Sequence, residues 1–452
     1  MADRTLLKNG TVISMDKEVG NFMQADVLIE GTKIAAVGPD LKAEGAEVID
    51  ASNMIVMPGF IDTHRHLWEG ILRKIGTDIT LEGEKSYLAF VLNTLAPVYR
   101  PEDVYIANKV STLGLIDAGI TTILDWSHIQ AGPEHTDAAI KALQESGLRA
   151  VFAYGPVWYE APKPEHPEWI RRVAKQYFSS KDQLLTFGLA IFGPEFNSVE
   201  GNQADWNLAR ELDARITTHV GVGTFGLHGK VAELGKTGIY GPDTTFIHCT
   251  TLNDEEIQMI VDSGATVSLA SPVEMMMGHG IPPTQRFLDR GLRPSLSVDV
   301  ETNVPNDMFT QMRSIISLQH SLIFDEKLRG VDHSALPLPP QFLTTRDVLE
   351  FATIEGARAN GLEDKTGSLT PGKEADIILL RTDKPNVFPI NDPIGAVVWG
   401  MDTSNVDSVF VAGKALKRNG ELLNVDLNNI RKMAYESRDY VVSKSGFKLP
   451  EI

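Results

Sequence analysis

Short β-rich apolar runs broken by turn pairs occupy both ends of this chain, and strand-like runs alternating with helical stretches fill its middle. Near the N-terminus, Thr5-Leu-Leu-Lys-Asn-Gly-Thr-Val-Ile, Ala25-Asp-Val-Leu-Ile-Glu-Gly and Lys33-Ile-Ala-Ala-Val-Gly are broken by Asn-Gly and Glu-Gly pairs. Aliphatic, β-branched runs bounded by such pairs read as strands joined by tight turns. The style returns at Ala375-Asp-Ile-Ile-Leu-Leu and Val406-Asp-Ser-Val-Phe-Val-Ala-Gly-Lys. Residues 1–55 and 366–452 are therefore expected to build one small β-sandwich domain from both termini, with a terminal helix.

Between them the pattern changes. Residues 54–61 form a first apolar strand, followed by Thr121-Thr-Ile-Leu-Asp, Leu148-Arg-Ala-Val-Phe-Ala-Tyr, Leu185-Thr-Phe-Gly-Leu-Ala-Ile, Ile216-Thr-Thr-His219, Thr245-Phe-Ile-His248, Thr266-Val-Ser-Leu-Ala and Ser295-Leu-Ser-Val-Asp299. Helical stretches such as Asp137-Ala-Ala-Ile-Lys-Ala-Leu-Gln-Glu-Ser-Gly lie between. Strand–helix alternation over eight units predicts an α/β fold, a closed (β/α)8 barrel over 56–365. An open doubly wound sheet would place a glycine-rich phosphate turn after its first strand. This one ends in His64-Arg-His66. Ser334-Ala-Leu-Pro-Leu-Pro-Pro reads as an extended loop or lid edge.

Residues two apart on a strand face the same way, so His64 and His66 can present both imidazoles to one point. His219, His248 and Asp299 also fall at strand ends, where barrel enzymes build their sites. Neutral imidazoles plus a carboxylate, with room for water, describe a catalytic zinc- or iron-type site.

Composition narrows the partners. Among 452 residues, 42 Lys and Arg against 60 Asp and Glu give a net charge of −18. Such a surface repels phosphate backbones and anionic lipid, which argues against nucleic-acid or membrane partners; it says little about the expected small-molecule substrate. The single cysteine, Cys249, excludes an intramolecular disulfide and reads as a small buried residue. The start lacks the apolar core of a signal peptide, and no apolar run reaches the ~18 residues needed to span a bilayer. A cytoplasmic location is the expectation.

Longer motifs then carry a resemblance: Pro58-Gly-Phe-Ile-Asp-Thr-His-Arg-His, Asp117-Ala-Gly-Ile-Thr-Thr, Phe246-Ile-His-Cys, Ser297-Val-Asp, Asn306-Asp-Met-Phe-Thr-Gln-Met-Arg and Gly367-Ser-Leu-Thr-Pro-Gly-Lys-Glu-Ala-Asp. Over nearly its whole length the chain resembles the amidohydrolase superfamily, in the branch of cytosine deaminase, triazine hydrolases and S-adenosylhomocysteine deaminase-like enzymes. The resemblance implies one divalent metal, zinc first with iron or manganese as alternatives, on His64, His66, His219 and Asp299. It also implies that Asp299 moves protons, that His248 bonds the substrate or the attacking water, and that the protein is a homodimer or larger assembly. Two-metal relatives use a carboxylated lysine on the fourth strand; Leu184–Phe192 has none, which implies a mononuclear site.

One departure bears on the reaction. Deaminases of this branch carry a proton-transferring glutamate three residues after the fifth-strand histidine, and here that position is Val222. The fourth-strand segment Phe192-Gly-Pro-Glu195-Phe-Asn also replaces a histidine-bearing loop. Glu274 and His279, in Ser271-Pro-Val-Glu-Met-Met-Met-Gly-His, are the candidates to take over proton transfer. Trp68, Trp126, His128, Tyr154, Trp158, Glu195 and Met276 are candidate pocket residues, and Asp62 is expected to be structural. The reading is hydrolysis at a carbon bonded to nitrogen or a similar leaving group. Dehydrating cyclisation of an amine onto an amide is the alternative, and a non-catalytic binding protein the third.

Overall fold

The computed structural model describes residues 4–163, 165–329 and 341–449; the Ser334–Pro340 stretch lies outside them. Eight parallel strands form the central sheet: β1 Phe60–Arg65, β2 Ile120–Ser127, β3 Arg149–Tyr154, β4 Leu185–Ile191, β5 Arg215–Val220, β6 Thr244–His248, β7 Thr266–Leu269 and β8 Ser295–Leu296. They follow one another in sequence order around the sheet. Its two edges meet where the Asp299 N–H donates to the His64 carbonyl and the His66 N–H to the Asp299 carbonyl, each at 3.0 Å. Inside the barrel, hydroxyls stitch the strands: the Thr63 Oγ1 lies 2.7 Å from Ser268 Oγ and 2.9 Å from Ser295 Oγ. Helices such as Pro101–Asp117 and Asp254–Asp262 cover the outside. The latter starts at Asn253, whose side chain caps Glu256 N–H while Glu256 caps Asn253 in return.

The terminal segments form a nine-stranded sheet with its own core of residues such as Leu7, Val27, Val56 and Ile377. Its other side packs on the barrel, and the alternation along two neighbouring strands shows why. Val56, Ile377 and Leu379 enter the sheet's core, while Ile55, Met57, Ile378 and Leu380 enter the barrel's. The structure corrects the expected first barrel strand here. Residues 54–61 are not one strand. Met54–Pro58 pairs antiparallel with Ile377–Arg381 in the terminal sheet, and Gly59 separates it from β1. A Cβ on Gly59 would sit 2.1 Å from Thr121 Cγ2, so the chain passes from one sheet to the other through a gap only glycine fits. A helix at Leu427–Ser445 closes the chain against Pro101–Asp117, with the Ser437 hydroxyl donating to Asp103 at 2.5 Å.

Candidate metal centre and active site

β1, β5 and the end of β8 deliver four donors to one point. His64 Nε2 lies 3.0 Å from Asp299 Oδ1 and 3.1 Å from His219 Nε2, and His66 Nε2 lies 3.3 Å from the same Asp299 oxygen. All four donor atoms fall within 4.8 Å of one another. This convergence makes poor sense as hydrogen bonding alone, since the His64 and His219 nitrogens face each other while His64 and His66 share one carboxylate oxygen. It is what a divalent cation among them requires.

The chain also prepares the ligands electrically. Burial pushes the His64 imidazole down to about 3 despite the pull of Asp299, and burial holds His219 well below its ordinary value. Both therefore stay neutral, the form that binds metal. Burial works against charge on Asp299, but its contacts with His64 and His66 overcome this and keep its carboxyl well below the usual range. His66 Nδ1 donates to the Trp126 carbonyl at 2.8 Å, which turns its Nε2 lone pair toward the centre.

Backbone geometry contributes as well. His248, Cys249 and Asp299 have φ of 72°, 58° and 71°, left-handed values that non-glycine residues adopt only where the surroundings hold them. Behind the histidines, Arg65 is fully buried between Asp62, 2.8 Å from its Nε, and Glu301, 3.2 Å from Nη1. Asp62 also accepts the Val298 N–H, tying β1 to the start of the last ligand segment.

On the other oxygen of Asp299 a second chain begins. His248 Nε2 lies 3.6 Å from Asp299 Oδ2, and its Nδ1 lies 3.0 Å from Glu274 Oε1. Glu274 is completely buried, its Oε1 also accepts the Ala270 N–H at 2.8 Å, and burial raises its pKa. His279 lines the same cavity with both ring nitrogens buried and without a hydrogen-bond partner; burial pushes its pKa down to about 3.

The other candidates divide. Val222, His128 and Trp158 line the cavity, and so does Met277, next to the exposed Met276, which does not line it. Trp68 and Trp126 stand one layer back: the Trp68 indole N–H donates to His128 Nδ1 at 3.3 Å, and Trp126 packs on His219. Tyr154 lines a different cavity beside His166. Glu195 is held under the β5 loop, its Oε1 accepting the Gly221 N–H at 2.6 Å. Cys249 is buried, and burial raises its thiol well above the ordinary value, so it is no nucleophile.

Two residues absent from the sequence reading complete the site. Tyr87 lines the cavity and donates its hydroxyl to Glu69 at 2.5 Å; Glu69 is fully buried and burial raises its carboxyl to about 8. A lone carboxylate in Leu67-Trp-Glu-Gly-Ile-Leu72 was the available signal for Glu69, whereas Tyr87, at the start of the Leu88–Leu95 helix, carries none.

Comparison with known proteins agrees with this geometry. The chain is 28% identical over 455 residues to a 5'-deoxyadenosine deaminase of Methanosarcina mazei, covering 98% of this chain and 99% of the relative. It is 27% identical to a 5-methylthioadenosine/S-adenosylhomocysteine deaminase of Thermoanaerobacter pseudethanolicus, covering 94% and 96%. Among solved structures, an adenosine deaminase from Xanthomonas campestris with bound zinc superimposes with a TM-score of 0.82 at 20% identity, covering 97% and 98%. A zinc complex of atrazine chlorohydrolase from Arthrobacter aurescens gives 0.79 at 24%, covering 96% and 100%. The model of the amidohydrolase family matches residues 55–416, and this chain, a metal-dependent hydrolase of carbon–nitrogen bonds, belongs to that family.

Proposed function

We propose that this enzyme binds one divalent ion, zinc first, on His64, His66, His219 and Asp299, and hydrolyses a C–N bond in a small nitrogen-containing molecule by a proton route that does not use position 222. An ion there would supply Lewis acidity and lower the pKa of its water from about 15.7 to near 7. The chain's own residues then handle the protons. Val222 offers only methyl groups where related deaminases carry a carboxylate.

The observation that carries the proposal is the line Asp299–His248–Glu274, with separations of 3.6 and 3.0 Å. Asp299 Oδ2 receives a proton from the attacking water. With Nδ1 paired to Glu274, His248 Nε2 takes that proton and delivers it to the leaving nitrogen. Glu274 holds the tautomer and stabilises the imidazolium during the transfer. His279, neutral and without a partner, is placed to bond the attacked group. The work is that of a cytoplasmic enzyme on a small substrate.

The test is a screen of zinc-loaded protein over amidines, amides and heterocyclic amines in oxygen-18 water. Hydrolysis incorporates the label with a small mass gain, whereas cyclisation shows loss of water and no label. On a substrate so found, Glu274→Gln is expected to lower kcat roughly 10²–10⁴-fold with metal content unchanged. Full turnover in both Glu274→Gln and His279→Asn would sink the proton route.

A further inference from the structure

The cavity above the cluster is polar chiefly at its floor, with Tyr87 and His128 the further polar side chains on its lining. There, Asp299 and the imidazoles of His66, His219, His248 and His279 converge. The walls are hydrocarbon, formed in part by Leu88, Leu92, Val222 and Met277. One side is a continuous run of rings: Trp158 meets Phe196 edge-on at 4.8 Å, and Phe196 meets Phe225 at 4.9 Å.

Several polar groups near these walls already have protein partners, and the cavity-lining groups left open, His128 Nε2 and the Trp158 indole N–H, are few. The Tyr87 hydroxyl is given to Glu69 at 2.5 Å. His128 Nδ1 takes the Trp68 indole N–H at 3.3 Å. The Glu82 carboxylate accepts the Thr224 N–H at 3.1 Å and its hydroxyl at 2.8 Å. Glu195 accepts the Gly221 N–H at 2.6 Å and is not on the cavity surface.

We infer that the substrate is a molecule with one hydrolysable nitrogenous head and an apolar body, and not a nucleoside. This rests on the hydrolytic reading of the floor and names what the walls accept. A ribose seated against Leu88, Leu92 and the Phe196–Phe225 rings would exchange water for hydrocarbon around most of its hydroxyls. An apolar ring of the same size loses nothing and gains contact. The nucleosides named for the relatives are thus a poor match for these walls, although the metal floor is shared.

Two matched pairs test the inference, 9-cyclopentyladenine against adenosine and 1-cyclopentylcytosine against cytidine, each pair differing only in replacement of the sugar by a hydrocarbon ring. Zinc-loaded full-length protein is assayed for kcat/KM and, independently of turnover, for ligand-induced thermal stabilisation. The expected result is preference for the cyclopentyl member by about 100-fold, in kcat/KM or in affinity. Phe196→Asn should narrow the ratio. Equal or better use of the nucleosides overturns the inference while leaving C–N hydrolysis standing. Stabilisation by no member of either pair also overturns it. Selective binding of the cyclopentyl compounds, with no turnover in them or in the wider amine screen, would uphold it and reject the proposed hydrolysis.

Discussion

Asp299 serves two masters, since Oδ1 faces His64 and His66 and Oδ2 faces His248. Asp299→Asn keeps the shape but removes the charge that the cluster is built around. Its metal retention against a competing chelator should fall by more than the 10–100-fold typical of residues that merely support ligands, measured as bound zinc per chain. Glu195 is a different case. Burial raises its carboxyl to about 7, above its ordinary 4.5. The folded state therefore holds this proton more tightly than the unfolded one between those values, and stability falls as pH rises from about 4.5 to about 7. Glu195→Gln removes that slope. The variant's Tm relative to the parent should rise across this window and level off above it; parallel Tm–pH curves would contradict the assignment.

Single elements matter where two sheets or several loops meet. Gly59 is the hinge between the terminal sheet and β1, with no space for a Cβ beside Thr121. Gly59→Ala should cost about 1–3 kcal/mol by overpacking, read from denaturant unfolding, and should disturb the site because His64 is only five residues on. The loops after β5, β6 and β7 are likewise locked together. The Gly223 N–H donates to the His279 carbonyl at 2.9 Å, and the Thr250 hydroxyl lies 2.6 Å from the Gly221 carbonyl and 2.7 Å from that of His279. These bonds fix the His279 backbone, so the side chain reaches the cavity without needing a partner of its own.

At the scale of the molecule, the terminal sheet and barrel are joined by charge as well as by apolar packing. Arg149, at the start of β3, makes two bonds to Asp376 at 2.6 and 3.1 Å, and Asp376 also accepts the Ala412 N–H at 2.8 Å. Both side chains are buried. Arg149→Ala strands the Asp376 carboxylate and should destabilise by about 3–5 kcal/mol, whereas a surface pair such as Lys230–Glu233 should cost under about 1 kcal/mol when broken. An ion held by His64, His66, His219 and Asp299 would be a further brace. Removing it with a chelator should lower Tm, and restoring zinc in excess should raise it in proportion to the logarithm of free metal. A Tm indifferent to zinc would speak against the four-donor centre.

Much of this was legible from residues in order. The β-rich runs at both ends, the eight strand–helix units and the histidines at strand ends are local signals, because each depends on neighbours within a few positions. His64, His66, His219, His248 and Asp299 could be named because barrel strands all point their C-terminal ends at one mouth. What the sequence could not assign depends on contacts between distant segments. Met54–Pro58 reads as a barrel strand until its partner Ile377–Arg381 claims it, more than 300 residues away. Trp68, Trp126 and Tyr154 are as aromatic as any pocket residue, but packing sets them behind the wall or in another cavity. Tyr87 and Phe225 reach the wall from the starts of short, non-α helical turns, too short to show a period. The metal floor was therefore set by the chain's local order. The pairing of Glu274 with His248 and the hydrocarbon walls were decided only when tertiary packing chose which side chains share a space and which hydrogen bonds are already spent.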